Sequence, residues 1–509
     1  MKLSIPSSAA GMRLSDYLNQ CGIPHAAPCG GNGVCGKCTV TLAEGVFYTY
    51  GDETRPVIPD GEGRILSCRA VCSTTGAVIL IDEESANDLS GVGVDLQRKA
   101  EDTYGLALDI GTTTLAAALV SLSDGKSVAT ASCLNPQSGF GADVMSRISA
   151  AAEGKLASMQ AVLLTGIKSL IESLFALLDK EILAEGKGLP EIKKMTVVGN
   201  PTMLHIFCGV SPVGMGQYPF TPVFLETKRL RGEELGLPVG EVTVLPSASA
   251  FVGADVVGGA ATVSLDRAEK PCLILDVGTN GEMILACGDR LYATSCAAGP
   301  ALEGAGISCG MGGVAGAVSS VTLSGDTLCF RTVGDKPPRG ITGSGLVDLA
   351  AALLTMGVID ETGAMDDSFR LTGIHVTAAG EGNLMPTRVS LTGEDVRALQ
   401  LVKSAFRAGI ETLLSVAGIK AEALAHTYLA GGLGYYLSPE NAARIGLLPE
   451  GLLPSVRVIG NGALSAAVKG VCDDEFVKTM SNIALCCETI ELNEQPLFNE
   501  LFIEYMMFE

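Results

Sequence analysis

The chain has 509 residues, with 35 basic and 56 acidic side chains and a formal net charge of −21. That gives room for about three domains, and the acidity argues against nucleic acid or an anionic membrane as partner. No run reaches eighteen consecutive apolar residues, because Asp109 and Asp276 interrupt the most hydrophobic segments; with no charged-then-apolar export pattern at the start, a soluble cytoplasmic protein is expected.

Residues 1–84 read as an α+β, β-grasp ferredoxin-like domain. A strand at 2–5, an amphipathic helix at 14–19 and strands at 38–42 and 77–81 are expected, with an opening hairpin that is short or degenerate. Within it, PCGGNGVCGKC places Cys29, Cys35 and Cys38 in one loop, and Cys68 follows after 29 intervening residues. This is close to the plant-type C-x4-C-x2-C…C spacing with one extra residue in the first gap, and it points to a [2Fe–2S] cluster. Gly30, Gly31, Gly33 and Gly36 let the backbone turn tightly and aim N–H groups at cluster sulfurs. Zinc is the competing reading of four thiolates, but structural zinc sites generally show two short pairs. Cys72 is the rival for the fourth ligand. The same loop satisfies G-x-G-x-x-G and nearly a phosphate loop, yet Cys38 stands where Ser or Thr would bind magnesium and no apolar strand precedes it. Elsewhere cysteines are scattered singly in apolar segments, as Cys133, Cys208, Cys272 and Cys329 are, which suits buried thiols in a reducing compartment. The four histidines are widely separated and suggest no metal site.

Residues 85–103 are polar and acidic with little periodicity, and read as a linker. The remainder is expected as two lobes, 104–266 and 267–509, the C-terminal segment of the second being free to return to the first. Their signature is an internal repeat: LALDIGTTT (106–114) and LILDVGTNG (273–281) superpose at a constant offset of 167. Each is a buried-type strand ending in Asp, a Gly-Thr turn and a second apolar strand. A second echo pairs VVGNP (197–201) with VIGNG (458–462). Two half-molecules of similar construction are implied.

Two such hairpins facing each other fit a nucleoside triphosphate. Gly111, Thr112 and Thr113 in the first, and Gly278, Thr279, Asn280 and Gly281 in the second, offer backbone N–H and hydroxyl donors to phosphate oxygens. Asp109 and Asp276 are placed to hold Mg2+ or its waters and to orient a water on the γ-phosphate. HTYLAGGLGYYL (426–437) delivers Gly431 and Gly432, against which an adenosine can lie, and ITGSGLVD (341–348), with Gly343, Ser344 and Gly345, is a further Gly-rich turn into a helix, expected to line the same nucleotide pocket. In these motifs the sequence resembles the acetate kinase, sugar kinase, Hsp70 and actin superfamily. The resemblance implies an α/β two-lobed actin-like ATPase, a duplicated ribonuclease H-like fold, in which the small-residue helices GADVVGGAA (253–261) and GALSAAVKG (462–470) connect the lobes and allow a hinge.

A ferredoxin domain fused to such a core is not a kinase arrangement. Together with NPQSGFGADVMSRI (135–148), VVGNPTMLHIFCG (197–209), AGPALEGAGISCGM (298–311) and DVRALQLVKSAFRAGI (395–410), it resembles the reductive activators of corrinoid proteins over essentially the whole chain. The resemblance implies ATP-dependent reduction of an inactive Co(II) corrinoid to Co(I) on a partner of a methyl-transfer system, with the cluster as carrier and an external low-potential donor to refill it. Plant-type clusters lie near about −400 mV, and each ~59 mV of uphill one-electron transfer costs about 1.4 kcal/mol, which gives ATP a physical role. The 298–311 loop is expected to face the corrinoid, with Ser308 as cobalt contact and Glu303 a polar neighbour. One departure is expected: with 40 residues between Cys68 and Asp109, the chain has no room for the extra middle domain of many relatives. The alternatives are an ATP-driven electron donor to another low-potential enzyme and a redox-regulated small-molecule kinase.

Overall fold

The computed structural model describes residues 2–20, 38–61, 63–80, 103–178, 191–378, 382–434 and 436–508. Cys29, Cys35, the four glycines of their loop and all of the expected linker 85–103 except Thr103 lie outside them.

The first sheet is antiparallel, in the order Lys2–Ile5, Ala70–Leu80, Thr39–Thr49, Asp52–Pro56, with Arg64–Leu66 also pairing Thr39–Thr49. The opening hairpin, expected to be short or degenerate, has no return strand among the described residues. After Ile5 the chain runs through the turn Ser7–Ala9 into the helix Leu14–Gln20, so no return strand forms and Lys2–Ile5 pairs with the last strand instead, Lys2 opposite Leu80 and Ile5 opposite Ala77. Leu14 and Leu18, one helical turn apart, pack the helix on Ile5, Val40, Phe47 and Ile79.

Two six-stranded sheets of the same construction follow. In the first, Tyr104–Ile110, Thr114–Ser121 and Ser127–Leu134 form an antiparallel meander, and Ile192–Gly199 and Val239–Val244 lie parallel to Tyr104–Ile110 on its other side, with Lys228–Arg231 at the edge. In the second, Cys272–Val277, Gly281–Cys287 and Arg290–Cys296 form the meander, and His426–Ala430 and Val456–Gly460 are the parallel pair, with Cys487–Thr489 at the far edge. The lead strands read as near-continuous apolar runs because both faces are covered. Leu106, Leu108 and Ile110 are fully buried, as are Ile274 and Leu275.

This topology corrects the second echo. VVGNP ends the fourth strand of its sheet and VIGNG the fifth, so the two segments are not duplicates of one position. What they share is local: Asn200 and Asn461 each cap the following helix, accepting from Met203 N and Leu464 N.

The helices Ala254–Thr262 and Gly462–Cys472, each following the outer of the two parallel strands of its own sheet, cross between the lobes and exchange sides. The first packs on Cys272–Val277 and Gly281–Cys287, and the second on Tyr104–Ile110 and Ile192–Gly199. The crossing needs glycine: a Cβ on Gly258 would lie 2.6 Å from the Cβ of Ala466, and one on Gly462 would lie 3.2 Å from the Cα of Gly259. The helical stretch Val144–Leu177 is long and apolar enough by composition to cross a membrane. It is broken at Gly154, whose φ is 84°, and Met159, Leu163, Ile167, Leu170 and Leu174 bury its inner stripe against Thr114–Ser121 and Ser127–Leu134. An additional five-stranded sheet, spanning Ala317–Ser324 to Gly382–Leu391, is inserted in the second lobe. No motif in the sequence reading marked it.

Candidate functional site

Cys38 leads into the strand Thr39–Thr49, and Cys68 lies in the turn Ser67–Arg69. Ser67 N donates to Cys38 O at 2.8 Å, which draws the two together. Both thiols are buried, and Cys38 Sγ donates to Cys68 Sγ at 3.1 Å, with no disulfide joining them. Two converging thiols not locked in a disulfide are the donor set that one iron of a cluster requires. Cys72 faces the other way, into the core with Phe47 and Ile79, where burial pushes its thiol up to about 11.

At the junction of the two large sheets the hairpin tips face each other. They are not equal. Ile110 pairs with Leu115 in the first, leaving a four-residue turn, whereas Val277 pairs with Gly281 in the second, leaving three. That one-residue difference changes which side chain opposes the aspartate: Ala116 faces Asp109, but Glu282 faces Asp276.

Around the first tip the partners are amides and one guanidinium. Asn461 Nδ2 donates to Asp109 Oδ2 at 2.9 Å, Asn200 Nδ2 to Thr112 Oγ1 at 3.0 Å, and Asn135 Nδ2 to Gly111 O at 2.7 Å. Arg147, fully buried, reaches Thr112 O at 2.5 Å, Gly141 O at 3.1 Å and Gln137 Oε1 at 3.3 Å. Burial pulls its guanidinium down to about 10, opposed by the charges of Asp143 and Glu303.

The second tip is surrounded by carboxyls. Glu282 Oε1 accepts from Gly253 N at 3.2 Å, at the start of the connecting helix that carries Asp255. Burial raises the Asp276 carboxyl well above its ordinary range, and the charges of Asp255, Asp109 and Glu303 add to the rise. Glu282 is raised well above its range too, by burial and then by Asp255 and Asp276. Burial lifts Asp255 to about 6 and Asp109 to about 7, the Asn461 amide opposing the rise at Asp109. Among the described residues no three such groups converge closely enough to cage a bare metal ion.

Glu303 joins the two tips. Thr279 N donates to its Oε1 at 2.7 Å, and Thr113 Oγ1 donates to its Oε2. The Glu303 side chain, at the end of the turn Pro300–Glu303, is thus engaged by the two hairpin tips. Thr279 Oγ1 is buried and has no hydrogen-bond partner, so the cleft holds an unanswered donor of the kind a phosphate oxygen satisfies.

The remaining expected residues divide. Gly431, φ 91°, sits against Asp276, a Cβ there falling 2.6 Å from Oδ1, while Gly432 is exposed with nothing above it. Gly281 closes the second turn against Cys296 and Phe406, and Asn280 O accepts from Gly278 N at 3.2 Å. Gly343 and Gly345 pack against Leu302 O and Val318 O, closer than a Cβ allows, and Ser344 Oγ donates to Ser319 O at 2.8 Å, so this turn lies against the 298–311 loop. Ser308 is exposed, and its N and Oγ donate to Asp395 Oδ1 at 2.7 and 3.1 Å. Sequence reasoning missed Asp255, Glu282, Arg147, Asn200 and Asn461. The capping residues alone had a local signal, Asn immediately before a helix.

Comparison with known proteins matches most of the chain in three parts. The 2Fe-2S iron-sulfur cluster binding domain family matches residues 3–73, the RACo middle region 104–268, and the C-terminal domain of RACo, the ASKHA domain, 270–509. The corrinoid activation enzyme RamQ of Eubacterium limosum is 34% identical over 429 residues, covering 81% of this chain and 71% of that protein. The [Co(II) methylated amine-specific corrinoid protein] reductase of Methanosarcina barkeri is 25% identical over 444 residues, covering 79% and 76%. A solved reductive activator for a corrinoid, iron-sulfur protein superposes with a TM-score of 0.72 at 26% identity, covering 99% of this chain and 96% of that one. The RACo middle region falls on residues 104–268, the strands of the first of the two large sheets.

Proposed function

The chain belongs to the family of reductive activators of corrinoid proteins, and from that premise we propose how its parts share the work. The protein is an ATP-dependent activator that passes an electron from its [2Fe–2S] cluster to the inactive Co(II) corrinoid of a partner protein in a methyl-transfer system, restoring Co(I). The observation that carries the reading is the convergence of Cys38 and Cys68 on the same chain as a duplicated cleft whose two Gly-Thr tips face each other with the Thr279 hydroxyl unpartnered.

The functional units are a cluster domain (1–84), a connector (85–103), a first lobe (104–266) and a second (267–509), with the helix Gly462–Cys472 lying on the first. Cys29, Cys35, Cys38 and Cys68 hold the cluster, which supplies one electron at low potential when bound. Gly111, Thr112 and Thr113 receive the phosphates from one side, and Gly278, Thr279, Asn280 and Gly281 from the other. The exposed Gly432 and adjacent Gly431 give the adenosine a flat backbone surface. Asp109 and Asp276 hold Mg2+ through its waters; the crowding of raised carboxyls supports a dication there, since it removes the repulsion that raises them. Ser308, exposed on the 298–311 loop and held by Asp395, is the contact offered to cobalt. Gly343, Ser344 and Gly345 support that loop from below. An external low-potential donor refills the cluster, and the protein acts in the cytoplasm without nucleic acid or membrane.

The test is direct. Anaerobically reduced protein is mixed with candidate corrinoid proteins with and without ATP, and the Co(II) to Co(I) absorbance change is followed. ATP-dependent appearance of Co(I) with phosphate released to water is expected. Reduction indifferent to ATP refutes the reading, and phosphate transferred to a small acceptor supports the kinase.

A further inference from the structure

Both tips offer donors to an anion, and one anion already lies between them: the Glu303 carboxylate takes the Thr279 N–H on one side and the Thr113 hydroxyl on the other. We propose that Glu303 stands in for a phosphate group in the nucleotide-free protein, and that ATP, by displacing it, repositions the loop that carries Ser308. The proposal rests on the reading of the cleft as the ATP site.

The chemistry of displacement is competition between like charges. A carboxylate and a phosphate oxygen want the same donors and repel each other when close. At the second tip Glu303 has another carboxyl, Asp276, as a neighbour, so its place there is contested before any nucleotide arrives. The connection to the loop is covalent and short. Glu303 is the last residue of the turn Pro300–Glu303, and Gly304 follows at φ 80°. Gly299 N donates to Thr279 O at 2.9 Å at one end of the loop, Glu303 is held by both tips in its middle, and at the other end Ser308 is fixed to Asp395 and Cys309 O accepts from Ile341 N at 2.9 Å. Releasing Glu303 removes the middle tie and leaves a hinge at each end. The segment between then moves and shifts the backbone leading into Ser308, whose bonds to Asp395 limit how far it travels. Glu303 is thus a positioning residue, acting through the loop on the partner's cobalt and not on the cobalt itself.

The experiment uses the full-length, cluster-loaded protein, Mg2+ and the non-hydrolysable analogue AMP-PNP, with hydrogen–deuterium exchange read on residues 299–307 and analogue affinity by calorimetry. In the unaltered protein AMP-PNP is expected to raise exchange in 299–307. Glu303→Ala and Glu303→Gln are expected to show raised exchange before any nucleotide is added. They should bind the analogue about tenfold tighter, since a charge-assisted hydrogen bond no longer has to be broken first. Protection of 299–307 by AMP-PNP in the unaltered protein, or equal or weaker binding by either variant, overturns the proposal and makes Glu303 a support for the bound nucleotide. Failure of the unaltered protein to bind AMP-PNP refutes instead the ATP-site reading on which it rests.

Discussion

The two hairpins began as one motif and now differ in what surrounds them. Apart from the Glu303 carboxylate, which it shares with the other, the tip at Asp109 is fastened by neutral amides and a buried arginine, each bonded to a backbone carbonyl, a hydroxyl or the aspartate itself. The tip at Asp276 is hemmed in by Asp255, Glu282 and Glu303. One residue fewer in the second turn is enough to bring Glu282 opposite Asp276, where the first turn has Ala116. The contrast teaches that a duplicated cleft need not have duplicated duties: one wall is a fixed reference, and the other is electrostatically loaded and responds to what binds.

That contrast is open to attack at several strengths. The largest effect is expected from Asp276→Asn, which should lower the ATP-dependent rate of Co(II) reduction by about 100-fold while raising the melting temperature of the nucleotide-free protein, because it removes one of the mutually repelling charges. A loss of stability together with activity would show that the second tip is not under charge stress. Next is Arg147→Met at the first tip. Leaving buried carbonyls without a donor should cost about 3 kcal/mol of stability by urea denaturation, whereas an unchanged midpoint would mean that the guanidinium is not an anchor. Asn461→Ala removes both a helix cap and the donor to Asp109 and should cost about 1–2 kcal/mol, with nucleotide affinity falling as the first tip loosens.

The smallest effect is pH. Asp109 and Asp255 titrate in the folded cleft near about 7 and about 6, against 3.8 for the ordinary group. The folded chain therefore binds protons more tightly than the unfolded one. The stability this contributes is complete below pH ~4 and is lost as pH rises through about 6 and then 7. The nucleotide-free protein should melt a few degrees lower at pH 8 than at pH 6, and Mg2+ with ATP should narrow the gap. An equal gap with and without Mg2+ and ATP would place the proton-binding groups outside the nucleotide site.

The sequence made visible those features whose geometry is written in consecutive residues. The cysteine spacing, the Asp-x-Gly-Thr tips, the Gly431–Gly432 turn and the small-residue helices all belong to this class, because each needs particular residue types at neighbouring positions. What it concealed depends on register and on distance along the chain. Glu282 looks like any strand residue until the shorter turn sets it against Asp276. Glu303 carried a polar side chain in a Gly-rich loop with nothing to say which way it would point. The VVGNP and VIGNG echo was misleading because helix capping rewards the same residues at non-equivalent strands, although the fold then brings Asn200 and Asn461 to the same hairpin. The inserted sheet between Ala317 and Leu391 was missed because its alternating strands have no motif of their own.

The exchange of connecting helices has a consequence for taking the molecule apart. The family boundary near residue 269 is a natural place to cut the chain, yet the helix that covers the sheet of residues 104–268 is encoded by residues 462–472, far beyond it. A fragment ending at the boundary keeps every strand of its sheet and lacks one side of its cover, with Gly105, Thr196 and their neighbours laid open where Val471 and Gly470 belong. Produced separately, the two pieces should each be sticky; produced in the same cell they have complementary surfaces and should reassemble, as a protein whose seam runs through space at a different place from where it runs through the gene.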